Sequence, residues 1–148
     1  MYSRDHAILS LVVAVVGTST LDLSISWPVA VVVALLAGVG IDFDHFLIAR
    51  LTTGTWQALR RCLSNPRLVF FDQDGIFQPE SIRPLQRLLS HVVIIAVVVL
   101  TLALVDVALA VFVAAVLYVH LLADLAWDNY REYHQHTRSR TSPSDGDD

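Results

Sequence analysis

Gly40-Ile41-Asp42-Phe43-Asp44-His45 closes an apolar run that begins at Trp27, and it sets two carboxylates and an imidazole at the end of a segment long enough to cross a membrane. Ionisable side chains beside hydrocarbon are costly, so they face a bundle interior or a polar cavity, paired with one another or with an ion. The stretch therefore marks both the end of a membrane segment and the start of a polar site.

Outward from it, the apolar residues fall into four blocks, Ala7–Leu21, Trp27–Ile41, Leu88–Val105 and Val107–Trp127. With 148 residues, 55% hydrophobic content and a mean hydropathy of +0.58, that distribution predicts one all-α, integral membrane four-helix bundle over residues 1–130. The first and third blocks fall short of the ~20 residues of a full span, so a compact soluble bundle is the competing architecture. Residues 131–148 read as a disordered polar and acidic tail. The basic residues are all arginine and the net charge is −4, which leaves no electrostatic footprint for nucleic acid. Cys62 is the single cysteine, so neither an internal disulfide nor a thiolate metal cluster can form; beside Arg60 and Arg61 it reads as an inert thiol.

Arg4 ahead of the first apolar block, with Gly17-Thr18-Ser19 after it, imitates a secretory signal, but the small-residue pattern matches a cleavage site poorly. The first block is read as a transmembrane helix with Ser3 as its N-cap and His6 in its first turn. The second helix opens at Pro28 and runs to about Leu47; on it Asp42 and His45 share a face, while Asp44 points away from Asp42. Ala49–Gln86 is a polar loop in which Thr55–Leu63 forms a surface amphipathic helix and Arg67–Phe71 and Ile76–Gln78 form two short strands about Asp72–Gly75. Asp106 alone separates the third and fourth helices, which makes them a tight hairpin, and Asp22 and Asp106 read as ordinary loop residues. Trp127 and Tyr130 are interfacial anchors.

Arginines cluster before the first helix, between the second and third, and after the fourth. By the positive-inside tendency both termini and the long loop are cytoplasmic, in a plasma membrane. His6, Asp42, Asp44, His45, His91, His120, Asp124 and Asp128 then all lie on one side. His120, Asp124 and Asp128 are spaced by four and line one helical stripe. Together these residues make a mixed imidazole–carboxylate set of the kind that binds zinc, manganese or iron in a bundle core. Metal ligands are read at His6, Asp42, His45, His91, His120 and Asp124, with Asp44 and Asp128 as general base or as groups orienting a histidine, and Arg87 holding an anionic substrate group. His134 and His136 are read as solvated.

The order His6, Gly40-x-Asp42-x-Asp44-His45, Arg87-x-x-Ser90-His91, His120-x-x-x-Asp124 resembles the YdjM-like family of membrane-bound metal-dependent hydrolases, whose motifs run roughly P-D-x-D-H, H-R-G-x-T-H-S and H-x-x-x-D. The resemblance spans His6 to Asp128 and implies metal or catalytic roles for Asp42, Asp44, His45, His91, His120 and Asp124. It departs at Ile41, where the family has proline, and at Gln86-Arg87-Leu88, where the family's histidine and glycine are replaced. The expected activity is hydrolysis of an ester or phosphoester, on an amphiphilic or lipid-linked substrate, at the membrane face. The alternative is a non-catalytic protein whose cluster only holds helices together.

Overall fold

Pro28 stands in the first turn of a helix begun at Trp27, where its missing N–H breaks no hydrogen bond. The structure, a computed structural model, describes residues 2–65 and 84–141. Every element there is helical: α1 (Ser3–Thr20), α2 (Trp27–Gly40), a 3-10 turn (Ile41–Phe43), α3 (Asp44–Thr53), α4 (Gln57–Ser64), α5 (Pro84–Ala103) and α6 (Val107–Thr141). The strands expected at 67–71 and 76–78, and the tail from 142, lie outside the described residues.

Small residues determine how the helices meet. On α1 the buried stripe is Ser3, His6, Ser10, Ala14 and Gly17, and on α2 it is Ala30, Ala34 and Gly38, spaced by four. Such stripes let backbones approach closely, which is how helices associate where lipid removes the hydrophobic drive between them. The fit is tight: a Cβ added at Gly17 would lie 2.6 Å from the Phe112 ring, and one at Gly38 would lie 1.9 Å from Ser10 Oγ. The core is Ala14, Ala30, Ala34, Ile41, Phe112, Val113, Val116 and Leu117, half of these residues supplied by α6.

The exterior is apolar. Val92, Val93, Val97 and Leu100 on α5 are exposed, and the one fully buried side chain described on that helix is His91. Three helical runs, Trp27–Thr53, Leu85–Ala103 and Val107–His134, are long and apolar enough to cross a membrane. α1 is not among them, because Arg4, Asp5 and His6 open it and Gly17-Thr18-Ser19-Thr20 closes it.

Several local expectations change. α1 starts at Ser3 itself, with Tyr2 in the cap position, so Ser3 is a buried first-turn residue and not the cap. α6 continues beyond residue 130 to Thr141, carried by an exposed run in which Tyr130 and His134, one turn apart, meet edge to face at 4.3 Å. Asp106 is more than a loop residue: its Oδ1 accepts the Leu109 N–H at 2.9 Å, capping α6, and its Oδ2 accepts from the Ser24 hydroxyl, which ties the α1–α2 connection to the α5–α6 hairpin. α4 has the expected amphipathic form, with Ala58, Leu59 and Cys62 half-buried and Arg60 and Arg61 exposed. Burial pushes the Cys62 thiol up, in keeping with an inert cysteine. Gly54 ends α3 at φ 73°, a left-handed cap that favours glycine.

Candidate metal centre

α2 does not pass smoothly into α3. The 3-10 turn Ile41–Phe43 interrupts it at the acidic motif, and a tightened turn of this kind often marks a functional hinge. In an α-helix residues two apart point ~160° away from each other, whereas at three residues per turn the separation falls to ~120°. Asp44 thus still points apart from Asp42, as expected, but by less, and the two carboxylates meet opposite nitrogens of the His91 ring. Asp44 Oδ2 accepts from the Ser90 hydroxyl and lies 2.9 Å from His91 Nδ1.

The remaining groups arrive from three further helices. His6 comes from the first turn of α1, His91 from the second turn of α5, and His120 and Asp124 from successive turns of α6. His6 and His91 are each 1% exposed, His120 is 2% and Asp124 is 4%. The chain has six histidines, and His6, His45, His91 and His120 all lie within 4.0 Å of a cluster carboxylate oxygen. His134 is exposed on the far part of α6.

Two of these imidazoles have a fixed orientation. His120 Nδ1 is 2.7 Å from the Gly38 carbonyl, which can only accept, so Nδ1 carries the proton. In the neutral ring the lone pair is then on Nε2, 3.5 Å from Asp42 Oδ1 and 3.6 Å from Asp124 Oδ2. His91 repeats the arrangement with Asp44 in place of the carbonyl, and its Nε2 is 3.5 Å from Asp42 Oδ1 and 3.9 Å from Asp124 Oδ2. A backbone carbonyl or carboxylate on one ring nitrogen is the arrangement that directs the other nitrogen at a metal.

Both Nε2 atoms, and both ring nitrogens of His6, are buried without a hydrogen bond among the described residues. Unmatched buried acceptors facing carboxylate oxygens repel unless a proton or a cation lies between them. The spacing favours a cation: with ligand bonds of ~2.0–2.2 Å, tetrahedral neighbours stand ~3.4 Å apart. His6, Asp42, His120 and Asp124 offer one donor atom each within 4.8 Å of one another, and Asp42, His45 and His91 form a second such group. The nitrogen and carboxylate donors suit zinc, manganese or iron.

Among the described residues, the guanidinium that meets this cluster is Arg87, whose Nε is 4.0 Å from Asp124 Oδ2 and which bonds Asp128 directly. Arg87 and Asp128 thus sit at the rim, paired with each other, and Asp128 does not orient a histidine among the described contacts. Exposed Gln86 lies outside the buried cluster. An apolar groove lined by Ala123, Ala126, Trp127 and Tyr130 belongs to α6 alone and is not where the titratable groups meet.

Two contributors escape sequence reasoning. The Gly38 carbonyl leaves no side-chain signal, and its role depends on Gly38 letting α1 and α6 approach closely. The Ser90 hydroxyl steadies Asp44, and its only sequence signal is its place next to His91. No family model, curated protein or solved structure matches the chain.

Proposed function

We propose that the protein is an integral membrane, metal-dependent hydrolase that acts on an ester or phosphoester at the headgroup level of the membrane. The observation that carries this reading is the pair of imidazoles, His91 and His120, whose Nδ1 atoms are engaged and whose Nε2 lone pairs converge on Asp42 and Asp124. A divalent ion, with zinc the first choice and manganese or iron next, supplies Lewis-acid activation of water and of the scissile oxygen when bound.

The chain's own residues divide the remaining work. Asp42, His91, His120 and Asp124, with His6 and His45, hold the ion. Asp44 fixes the His91 tautomer, and its second oxygen lies 3.7 Å from His45 Nε2, where it favours a proton on that nitrogen and leaves Nδ1 as the donor toward the ion. Arg87 shares its charge between Asp124 and Asp128, and releasing Asp128 would free a fork for an anionic substrate group. The apolar exterior of α2, α5 and α6 supports residence in a bilayer, with α1 as the fourth helix packed on them through its small residues. With arginines at both ends of the chain and in the 49–86 connection, the cluster and both termini face the cytoplasm. The motif order shared with YdjM-like hydrolases supports the same activity.

One observation favours a second reading, a metal-holding or purely structural cluster without turnover: Gln86 stands where that family has a histidine. Elemental analysis of the detergent-purified protein, beside a His120→Ala/Asp124→Ala variant, tests the ion, and a panel of esters and phosphoesters tests the reaction. Stoichiometric metal that disappears in the variant, with turnover that follows it, is the expected result. Metal without turnover on any substrate would establish the second reading, and metal-free, fully folded protein would remove both metal-based readings.

A further inference from the structure

The donor atoms form two overlapping groups around one shared carboxylate. On one side the His6 and His120 rings stack with centroids 3.9 Å apart, and their Nε2 atoms lie 3.2 Å and 3.6 Å from the two oxygens of Asp124. On the other side the His45 and His91 rings stack at 5.3 Å, and both face the oxygens of Asp44, at 3.7 Å and 2.9 Å. Asp42 stands between the pairs. Its Oδ1 is 3.5 Å from His120 Nε2, 3.5 Å from His91 Nε2 and 3.8 Å from His45 Nδ1, and its Oδ2 is 4.0 Å from His6 Nε2.

Building on the reading of the cluster as a metal centre, we propose that it holds two divalent cations bridged by Asp42. One position is formed by His6, His120, Asp124 and Asp42, and the other by Asp42, His45 and His91. One cation cannot use both histidine pairs well. The first position already supplies four donors, a full tetrahedral set, and would leave the buried Nε2 lone pair of His91 unmatched. The second position has three donors and keeps open coordination sites, as a reactive position requires. Asp42 Oδ1 stands 3.5 Å from a nitrogen of each group, His120 Nε2 and His91 Nε2, so this carboxylate is placed to be shared between two ions at the ~3.5–4 Å spacing of two-metal sites.

The test uses the full-length protein in detergent, stripped with chelator and reloaded with Mn²⁺ alone. Elemental analysis after desalting counts the ions per chain, and electron paramagnetic resonance reports whether they are magnetically coupled. The expected result is two Mn²⁺ per chain with a coupled-pair spectrum. In His45→Ala, which removes a donor from the second position only, the count falls to one and the spectrum becomes that of an isolated ion. One Mn²⁺ per saturated wild-type chain with an isolated-ion spectrum overturns the bridged pair and leaves the single-metal reading standing. No Mn²⁺ in folded wild-type protein overturns both. The wild-type count and spectrum decide the matter even where the variant fails to fold, and neither depends on finding a substrate.

Discussion

At the level of Phe112, α1 and α6 meet through Gly17, and the aromatic ring fills the space that a side chain would have occupied. At ~12 Å along α6, eight residues at 1.5 Å each, the same two helices meet through the stacked rings of His6 and His120. The first contact is closed: every neighbour of Phe112 in the core is apolar and its packing needs nothing further. The second is equally buried, yet the Nε2 atoms of both rings face carboxylate oxygens without a hydrogen bond among the described residues. Burial alone therefore does not separate scaffold from site in this bundle. What separates them is whether the buried groups satisfy one another.

Removing the ion should break the comparison most strongly. If the polar level is completed by metal, an ion held at 100 times its dissociation constant contributes ~2.7 kcal/mol to the folded state. Chelator should lower the thermal midpoint of the wild-type protein in detergent by the corresponding amount. Asp124→Ala, which lacks a donor, should show the lowered midpoint from the start and no further response to chelator. A wild-type midpoint indifferent to chelator would mean that the polar level is as self-sufficient as the Phe112 level.

A pair of glycines sharpens the other side. At Gly38 an added methyl meets Ser10 Oγ at 1.9 Å, Ser10 Cβ at 3.1 Å and Val116 Cγ1 at 3.3 Å. The Ser10 hydroxyl is already engaged with the His6 carbonyl at 2.7 Å, so it cannot move without losing that bond. Gly38→Ala should therefore cost ~1–3 kcal/mol, the range for overpacking. At Gly40, only two residues on, nothing lies within 4 Å and φ is −69°. Gly40→Ala should stabilise by ~0.4–1 kcal/mol through the unfolded chain. Denaturation of the two variants side by side checks the sign at each position, and equal effects would refute the close α1–α2 approach.

Much of this contrast is legible in the sequence. Spacings of four on α6 place His120 and Asp124 on one stripe, and alternating antiparallel helices bring the ends carrying His6, Asp42, His45 and His91 to the same level. What stays hidden is whatever depends on local departures from the ideal helix or on backbone atoms. The 3-10 turn at Ile41–Phe43, which narrows the angle between Asp42 and Asp44, has no residue signature that regular α-periodicity would reveal. The Gly38 carbonyl that fixes His120 is invisible to a reading of side chains. The extension of α6 to Thr141 runs against composition, because a polar segment reads as tail whether or not a preceding helix propagates into it. Asp106 was legible as a turn residue, but the Ser24 hydroxyl that completes its role comes from a distant connection.

That cap supplies the smallest test, at the apolar end of the bundle, where metal should have no say. The Leu109 N–H, and after it the Ser24 hydroxyl, hold the Asp106 carboxyl below its ordinary value of 3.8. A carboxylate whose pKa is lower folded than unfolded adds stability that is fully present above the unfolded value and is lost as pH falls through the folded one. Asp106→Asn keeps an oxygen for the Leu109 N–H but cannot ionise, so the difference in thermal midpoint between wild type and this variant should be constant near neutral pH. It should shrink only below about pH 4, where the unfolded carboxylate begins to protonate. Because the group is exposed, the effect should be slight, and chelator should leave it unchanged. A difference that tracked metal content instead would mean that the two ends of the bundle are coupled, and that the division between a closed scaffold and an open site does not hold along the length of α6.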